Sequence, residues 1–216
     1  MLKFEDVSFG FDEDLFANVN FKLRPGEIAV LTGKNGVGKS TLLRLCNGLL
    51  KPTRGKVSVA GFMTDEHKTS ALARHAGFLF QNPDRQISKH TVAEELLFGL
   101  SLTAPDNQNI EEAEKQALLA DITEEFGLSP EDEIFTLSKG YRQLVAIASV
   151  LITKPSVLLF DEPTVCLDKN QKKTLADSLS KRVKSGVAAL VISHDLDFID
   201  LLDCKKLILK DKEIKE

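Results

Sequence analysis

The sequence is poor in cysteine, in long apolar runs and in charge of one sign, and each shortage removes a class of protein. Three cysteines, Cys46, Cys166 and Cys204, are odd in number and lack CxxC spacing. That argues against a disulfide framework or a zinc site and for reduced structural thiols. The longest nearly apolar run, Leu144 to Ile152, is interrupted by Ser149 and falls far short of the roughly 20 residues that cross a bilayer. The opening MLKFEDVSF alternates charged and apolar residues, a pattern unlike a signal peptide, so the cytoplasm is the expected location. Basic and acidic residues nearly balance, 28 against 32, for a net charge of −4 and a pI near 5.7. Such a balance carries no footprint for bulk nucleic-acid binding, and no nucleic-acid partner is expected. What is present is ordinary for a globular chain: 43% hydrophobic residues over 216 positions, enough for one domain or one domain carrying an inserted subdomain.

The hydrophobic pattern changes along the chain. In Asn18 to Leu23 the residues Val19, Phe21 and Leu23 alternate with polar ones, as do Val57 and Val59 after the turn signal Lys51-Pro52-Thr53-Arg54-Gly55. Alternation of this kind predicts half-buried antiparallel strands. The runs Ile28 to Leu31, Val157 to Phe160 and Ala188 to Ile192 are apolar throughout, which suits strands covered on both faces in a parallel sheet. Crossover helices are predicted after the Gly-rich turn Gly33 to Gly38, through Leu42, Leu43 and Leu45, and from Asp168 as N-cap through Leu175, Leu179 and Val183 to Gly186. Residues 82–138 read as an inserted helical subdomain. There Thr91 and Glu94 form a capping-box pattern ahead of Leu96, Leu97 and Leu100, and Ile110 to Phe126 places Leu118, Ile122 and Phe126 on one helical face. The alternating Lys205 to Lys210 predicts a solvated edge strand. Together these patterns predict an α/β fold with an N-terminal antiparallel β subdomain.

One motif carries chemistry directly. Gly33-Lys34-Asn35-Gly36-Val37-Gly38-Lys39-Ser40 matches GxxxxGK[ST], followed by Thr41, and lies between an apolar run and a helical pattern. Glycines let the backbone wrap a phosphate so that successive N–H groups face the anion. Lys39 would reach the β- and γ-phosphates and Ser40 would bind Mg²⁺. With glycine at about 7% of residues, four fixed positions coincide by chance on the order of once per hundred chains of this length. A second element, Val157 to Pro163, ends an apolar strand in Asp161 and Glu162. Alone, an Asp-Glu pair at a strand end is more often a helix cap or a solvated corner. Beside a phosphate loop it divides the work of phosphoryl transfer, with Asp161 on the metal and Glu162 on the attacking water.

The remaining short elements follow the order and spacing of an ATP-binding-cassette ATPase, and the resemblance covers essentially the whole chain. It implies a phosphate-loop NTPase core with ATP and Mg²⁺ as cofactors. Phe11 resembles the aromatic residue that stacks on adenine. Gln81 resembles the glutamine that reaches Mg²⁺ and the water. Leu137-Ser138-Lys139-Gly140-Tyr141 resembles the signature LSGGQ at the head of a helix running to Ile152. Val165-Cys166-Leu167-Asp168 resembles the loop that couples two sites of a dimer, and His194 the histidine that contacts the γ-phosphate. The family pattern implies that Ser138 and Gly140 face the γ-phosphate bound by a second ATPase subunit in a head-to-tail dimer, homomeric or heteromeric. The chain departs from that pattern at Lys139 and Tyr141, and at Val165 and Cys166. A slow or degenerate site is the expectation for the signature that carries them.

Asn82-Pro83-Asp84-Arg85-Gln86 and Thr91 to Leu100 most resemble the ATPases of energy-coupling-factor importers, which drive uptake of vitamins or of cobalt and nickel ions. The resemblance implies a transport pathway in separate membrane chains, docking near Gln81 to Gly99, and a peripheral place on the inner face of the cell membrane. Two other readings stay open: a regulatory cassette that closes on ATP but hydrolyses poorly, and a cassette working on nucleic acid or ribosomes.

Overall fold

In the computed structural model, which describes residues 1–103 and 111–215, two sheets share a core. The first is antiparallel, in the order β2-β1-β4-β5, with β1 Leu2–Gly10, β2 Asp14–Leu23, β4 Arg54–Val59 and β5 Phe62–Met63. Val19 and Leu23 are buried and Phe21 is half-buried, as period-2 alternation requires.

The second sheet runs β10-β9-β3-β8-β7-β6, where β3 is Ile28–Thr32, β6 Ala76–Leu79, β7 Val157–Asp161, β8 Ala188–Ile192, β9 Lys205–Lys210 and β10 Glu213–Lys215. All pairings are parallel except β9 with β10. The continuous apolar runs follow from this: each central strand feeds two cores at once. Val30, Leu158, Phe160, Ala189 and Val191 point into one cluster, and Ala29, Leu31, Leu159, Leu190 and Ile192 into the other. The second cluster is closed by the antiparallel sheet and by α1 Lys39–Cys46, whose Leu42, Leu43 and Leu45 are fully buried. Each such leucine contributes roughly 1.5–3 kcal/mol. The first is closed by α3 Val92–Thr103, α4 Glu112–Phe126, α5 Lys139–Leu151 and α6 Lys169–Lys184. Two short helices, α2 Thr69–Leu72 and α7 Leu196–Ile199, complete the α-helices among the described residues, and 3₁₀ turns lie at Pro83–Arg85 and Ile134–Thr136.

Local signals explain the helix ends. The Glu94 backbone N–H donates to Thr91 Oγ1 at 3.3 Å while Glu94 Oε2 accepts the Thr91 N–H at 3.1 Å, the reciprocal capping box. Asp168 and Gln171 form a second one at the start of α6, at 2.9 and 3.0 Å. Gly186 sits at φ 101° just past its end. In α4 the buried face is Leu119, Ile122, Thr123 and Phe126, with Leu118 only half-buried. The helix starts at Glu112, and Ile110 lies outside the described residues.

One expectation is overturned. Lys205–Lys210 is not an edge strand: it lies between β3 and β10. Leu207 and Leu209 are buried while the lysines remain exposed, so the alternation that looks like an edge reflects one solvated face. The strand Glu213–Lys215, only three residues long, covers its outer side.

Candidate functional site

The phosphate-loop motif spans the turn from β3 into α1, at the carboxyl end of a parallel strand. Gly36 and Gly38 hold φ of 82° and 102°, a left-handed backbone that glycine adopts without Cβ strain. A Cβ on Gly33 would stand 2.5 Å from the Leu209 carbonyl oxygen, so the loop also needs glycine to pass β9. Lys39 is 8% exposed. Its Nζ donates to the carbonyls of Gly33 at 2.8 Å and Lys34 at 3.0 Å. Burial lowers its pKa, opposed by the charges of Glu162 and Asp161. The loop thus holds its own cation folded back over an open ring of backbone.

A cleft of about 530 Å³ joins Phe11, Leu15, Asn35, Gly36, Gly38, Lys39, Ser40, Thr41, Gln81, Asp161, Glu162 and Ile192. Residues more than a hundred positions apart meet there because β3, β8 and β7 are neighbours and end together. Asp161 closes β7 and is 6% exposed. Burial raises its pKa, opposed by a hydrogen bond from Ser40 and by the charges of Arg44 and Lys39. Glu162 follows at φ 48°, its N–H donating to the Ile192 carbonyl at 3.0 Å. Burial raises its pKa too. The charge and backbone N–H of His194 oppose that shift, and the neighbouring charge of Asp161 adds to it. His194 Nε2 stands 3.5 Å from Glu162 Oε1.

Gly33, Lys34 and Val37 shape the loop without lining the cleft. Phe11 is 70% exposed, its ring edge-on to Phe9, and forms one wall. Ser138 and Gly140 do not line this cleft. They head α5, where Ser138 Oγ accepts the Tyr141 N–H at 3.4 Å. A Cβ on Gly140 would stand 2.5 Å from the Cys166 carbonyl oxygen, so the signature turn packs on the loop after Glu162. Sequence reasoning missed Leu15 and Ile192, which supply apolar wall, and Arg44, whose charge acts on Asp161. Arg44 sits one helical turn after Ser40, and that spacing was the available signal.

A family model described as ABC transporter matches residues 16–165. The chain is 35% identical over 214 residues to the energy-coupling factor transporter ATP-binding protein EcfA1 of Mycoplasma genitalium, covering 99% of this chain and 77% of that one. It is 35% identical over 217 residues to a protein of Caldanaerobacter subterraneus subsp. tengcongensis, of whose length it spans 38%. Among solved structures, the dimeric bacterial ABC transporter cassette MJ0796 matches with a TM-score of 0.88 at 25% identity, over 100% of this chain and 97% of that one. The structure of cbiO1 from Clostridium perfringens, part of the ABC transporter complex cbiONQ, matches with a TM-score of 0.85 at 28% identity, over 100% and 86%.

Proposed function

The chain belongs to the ABC transporter family of ATP-binding cassettes, and from that premise we propose that it is the ATP-hydrolysing subunit of a membrane importer of the energy-coupling-factor type. One observation carries the proposal: Lys39 and Ser40 face Asp161 and Glu162 across a single cleft that Gln81 also lines. This is one cation, one hydroxyl and two carboxylates around a space of the size a nucleotide polyphosphate needs. The whole chain 1–216 acts as one ATPase domain, with residues 82–138 as its inserted helical subdomain.

The residues present fit Mg²⁺-ATP. The Lys39 ammonium satisfies itself on two loop carbonyls, a partnership that a phosphate oxygen, as a charged acceptor, replaces favourably. Glycines with positive φ leave the loop open to close approach. Ser40 and Asp161 meet in the cleft, and a hydroxyl beside a carboxylate is an oxygen donor set of the kind that Mg²⁺ takes together with phosphates. Gly33 to Thr41 would hold the polyphosphate and Phe11 the adenine, while Ser40, Asp161 and Gln81 would hold the ion. When bound, Mg²⁺-ATP supplies the phosphoanhydride bond to be broken and the charge that neutralises its oxygens. Glu162, paired with His194, orients a water and accepts its proton, and Lys39 offsets charge that accumulates on the phosphates.

Ser138 and Gly140 complete the site of a second cassette in a head-to-tail dimer. The membrane subunits dock near Gln81 to Gly99. A groove of about 320 Å³ there, walled by Leu49, Ala73, Phe78, Phe80, Phe98 and Val150, supports this. Likeness to the transporter subunit EcfA1 supports a peripheral place on the inner face of the membrane; among the described residues no helix is long and apolar enough to cross it. The relatives named EcfA1 and cbiO1 support the transporter class, and the family resemblance of Asn82 to Gln86 and Thr91 to Leu100 implies a vitamin or a metal ion as the cargo. A second reading, a hydrolysis-poor subunit of a heterodimer, is favoured by Lys139 and Tyr141 in the signature.

Lys39→Ala tests the proposal. Removing the ammonium should abolish high-affinity Mg²⁺-ATP binding in calorimetry. Unchanged affinity would remove the foundation of the reading.

A further inference from the structure

The first turns of α5 are tied, within one chain, to two of the loops that line the cleft, those of Gln81 and Glu162. On one side Arg142 donates from Nη1 to the Leu137 carbonyl at 2.8 Å, and its Nε stands 3.0 Å from Asp84 Oδ1. Asp84 lies in a single 3₁₀ turn, Pro83–Arg85, directly after Gln81 and Asn82, and its N–H is capped by Asn82 Oδ1 at 3.2 Å. Gln86 binds the same segment to α5. Its Oε1 accepts the Phe80 N–H at 3.2 Å and its Nε2 donates to the Ala146 carbonyl at 3.2 Å. Gln81 is therefore flanked on both sides by residues anchored to the helix. On the other side Gln143, 1% exposed, donates from Nε2 to the Pro163 carbonyl at 3.2 Å, immediately after Glu162.

We propose that Arg142 is a positioning residue for hydrolysis: through Asp84 it sets where Gln81 stands relative to Glu162, with α5 as the common frame. This deepens the ATPase reading and rests on it. The alternative, a pair that merely stabilises the fold, is weakened by its own geometry. Asp84 is 45% exposed, and an ion pair with one partner that open to solvent adds little stability. The Arg142 Nε is moreover buried without an aligned acceptor, so Asp84 meets its charge but not its hydrogen. The apolar core that holds α5 begins two residues further on, at Leu144, and runs through Leu151. What the pair does span is the gap between the Gln81 segment and the helix that anchors the Glu162 loop, and small misplacements of such groups are costly to turnover.

The test uses the full chain, assembled as its active dimer or transporter, with Arg142→Ala, Asp84→Ala, the double variant and the exchange Arg142→Asp with Asp84→Arg. Expected are Mg²⁺-ATP dissociation constants within about twofold of the parent and kcat lowered on the order of tenfold or more in each single variant. The double variant should be no slower than the singles, and the exchange should recover activity. Unchanged kcat, additive losses in the double variant, or losses that track a falling melting temperature would each overturn the proposal. A parent protein that neither binds nor hydrolyses Mg²⁺-ATP would instead overturn the ATPase reading beneath it.

Discussion

Glu162 stands at φ 48°, a left-handed backbone that costs a non-glycine residue about 1–3 kcal/mol. It is also a largely buried carboxylate beside a second one. Two penalties at one position are tolerated where the geometry serves chemistry, and the bend after β7 aims Glu162 at the cleft that Lys39 and Ser40 line. Glu162→Gln should keep nucleotide binding, because Lys39, Ser40 and Asp161 remain, and lower kcat by about two to four orders of magnitude. The pH dependence has a definite sign. Burial raises the Glu162 pKa, so hydrolysis is lost as pH falls through that raised value, at higher pH than an ordinary glutamate would give. The ionised buried group also costs stability, a cost absent below the unfolded-state pKa and fully present above the raised one. The glutamine variant should therefore melt higher at neutral pH, with the difference shrinking on acidification. Turnover at the parental rate would remove Glu162 from its role. Lys39 and Ser40 were readable because their whole constellation lies within eight contiguous residues. The Gln143 contact with Pro163 was not, because its partners are 20 positions apart and neither belongs to a local pattern.

Helix α5 shows how one element serves packing and site together. Its length was readable from the signature to Ile152, and its C-cap is Ile152. Apolar runs likewise announced β3, β7 and β8, because strands buried on both faces lose their alternation. The weak signals were Ala76–Leu79, four residues with a glycine among them, and Lys205–Lys210, whose neighbours only the folded sheet supplies. Gly140 was readable as a signature residue but not for its contact with Cys166. Gly140→Ala sets two effects against each other. Alanine is the better helix former by about 1 kcal/mol, yet its Cβ would stand 2.5 Å from the Cys166 carbonyl oxygen, and overpacking costs typically 1–3 kcal/mol. A backbone oxygen cannot swing aside, so the clash wins. The variant should melt lower, by about 2–4 °C per kcal/mol lost, and hydrolyse more slowly as the loop after Glu162 shifts. A melting temperature at or above the parent's would show that the loop yields freely.

Assembly turns on a residue with no partner of its own. Lys139 is exposed at the start of α5, and among the described residues its side chain makes no ion pair or hydrogen bond. Its charge at a helix N-terminus is unfavourable by some tenths of a kcal/mol. In the head-to-tail dimer proposed above, the same charge would stand near the partner's phosphates, where a cation about 4 Å away gains roughly 4 kcal/mol at an effective dielectric of 20 and about 1 in water. Charge therefore favours closure on ATP. Geometry opposes catalysis, because a side chain at this position keeps the backbone N–H groups of the turn from approaching the phosphate as closely as glycine would allow. Lys139→Gly should thus raise the hydrolysis rate of the site that uses this signature and weaken ATP-dependent dimerisation. The measurement is turnover and dimer fraction of parent and variant across ATP concentration, with the opposing phosphate loop supplied by the partner subunit. Closure that is equally tight with turnover no faster would show that Lys139 points away from the phosphates, leaving the altered signature without a cost to either step.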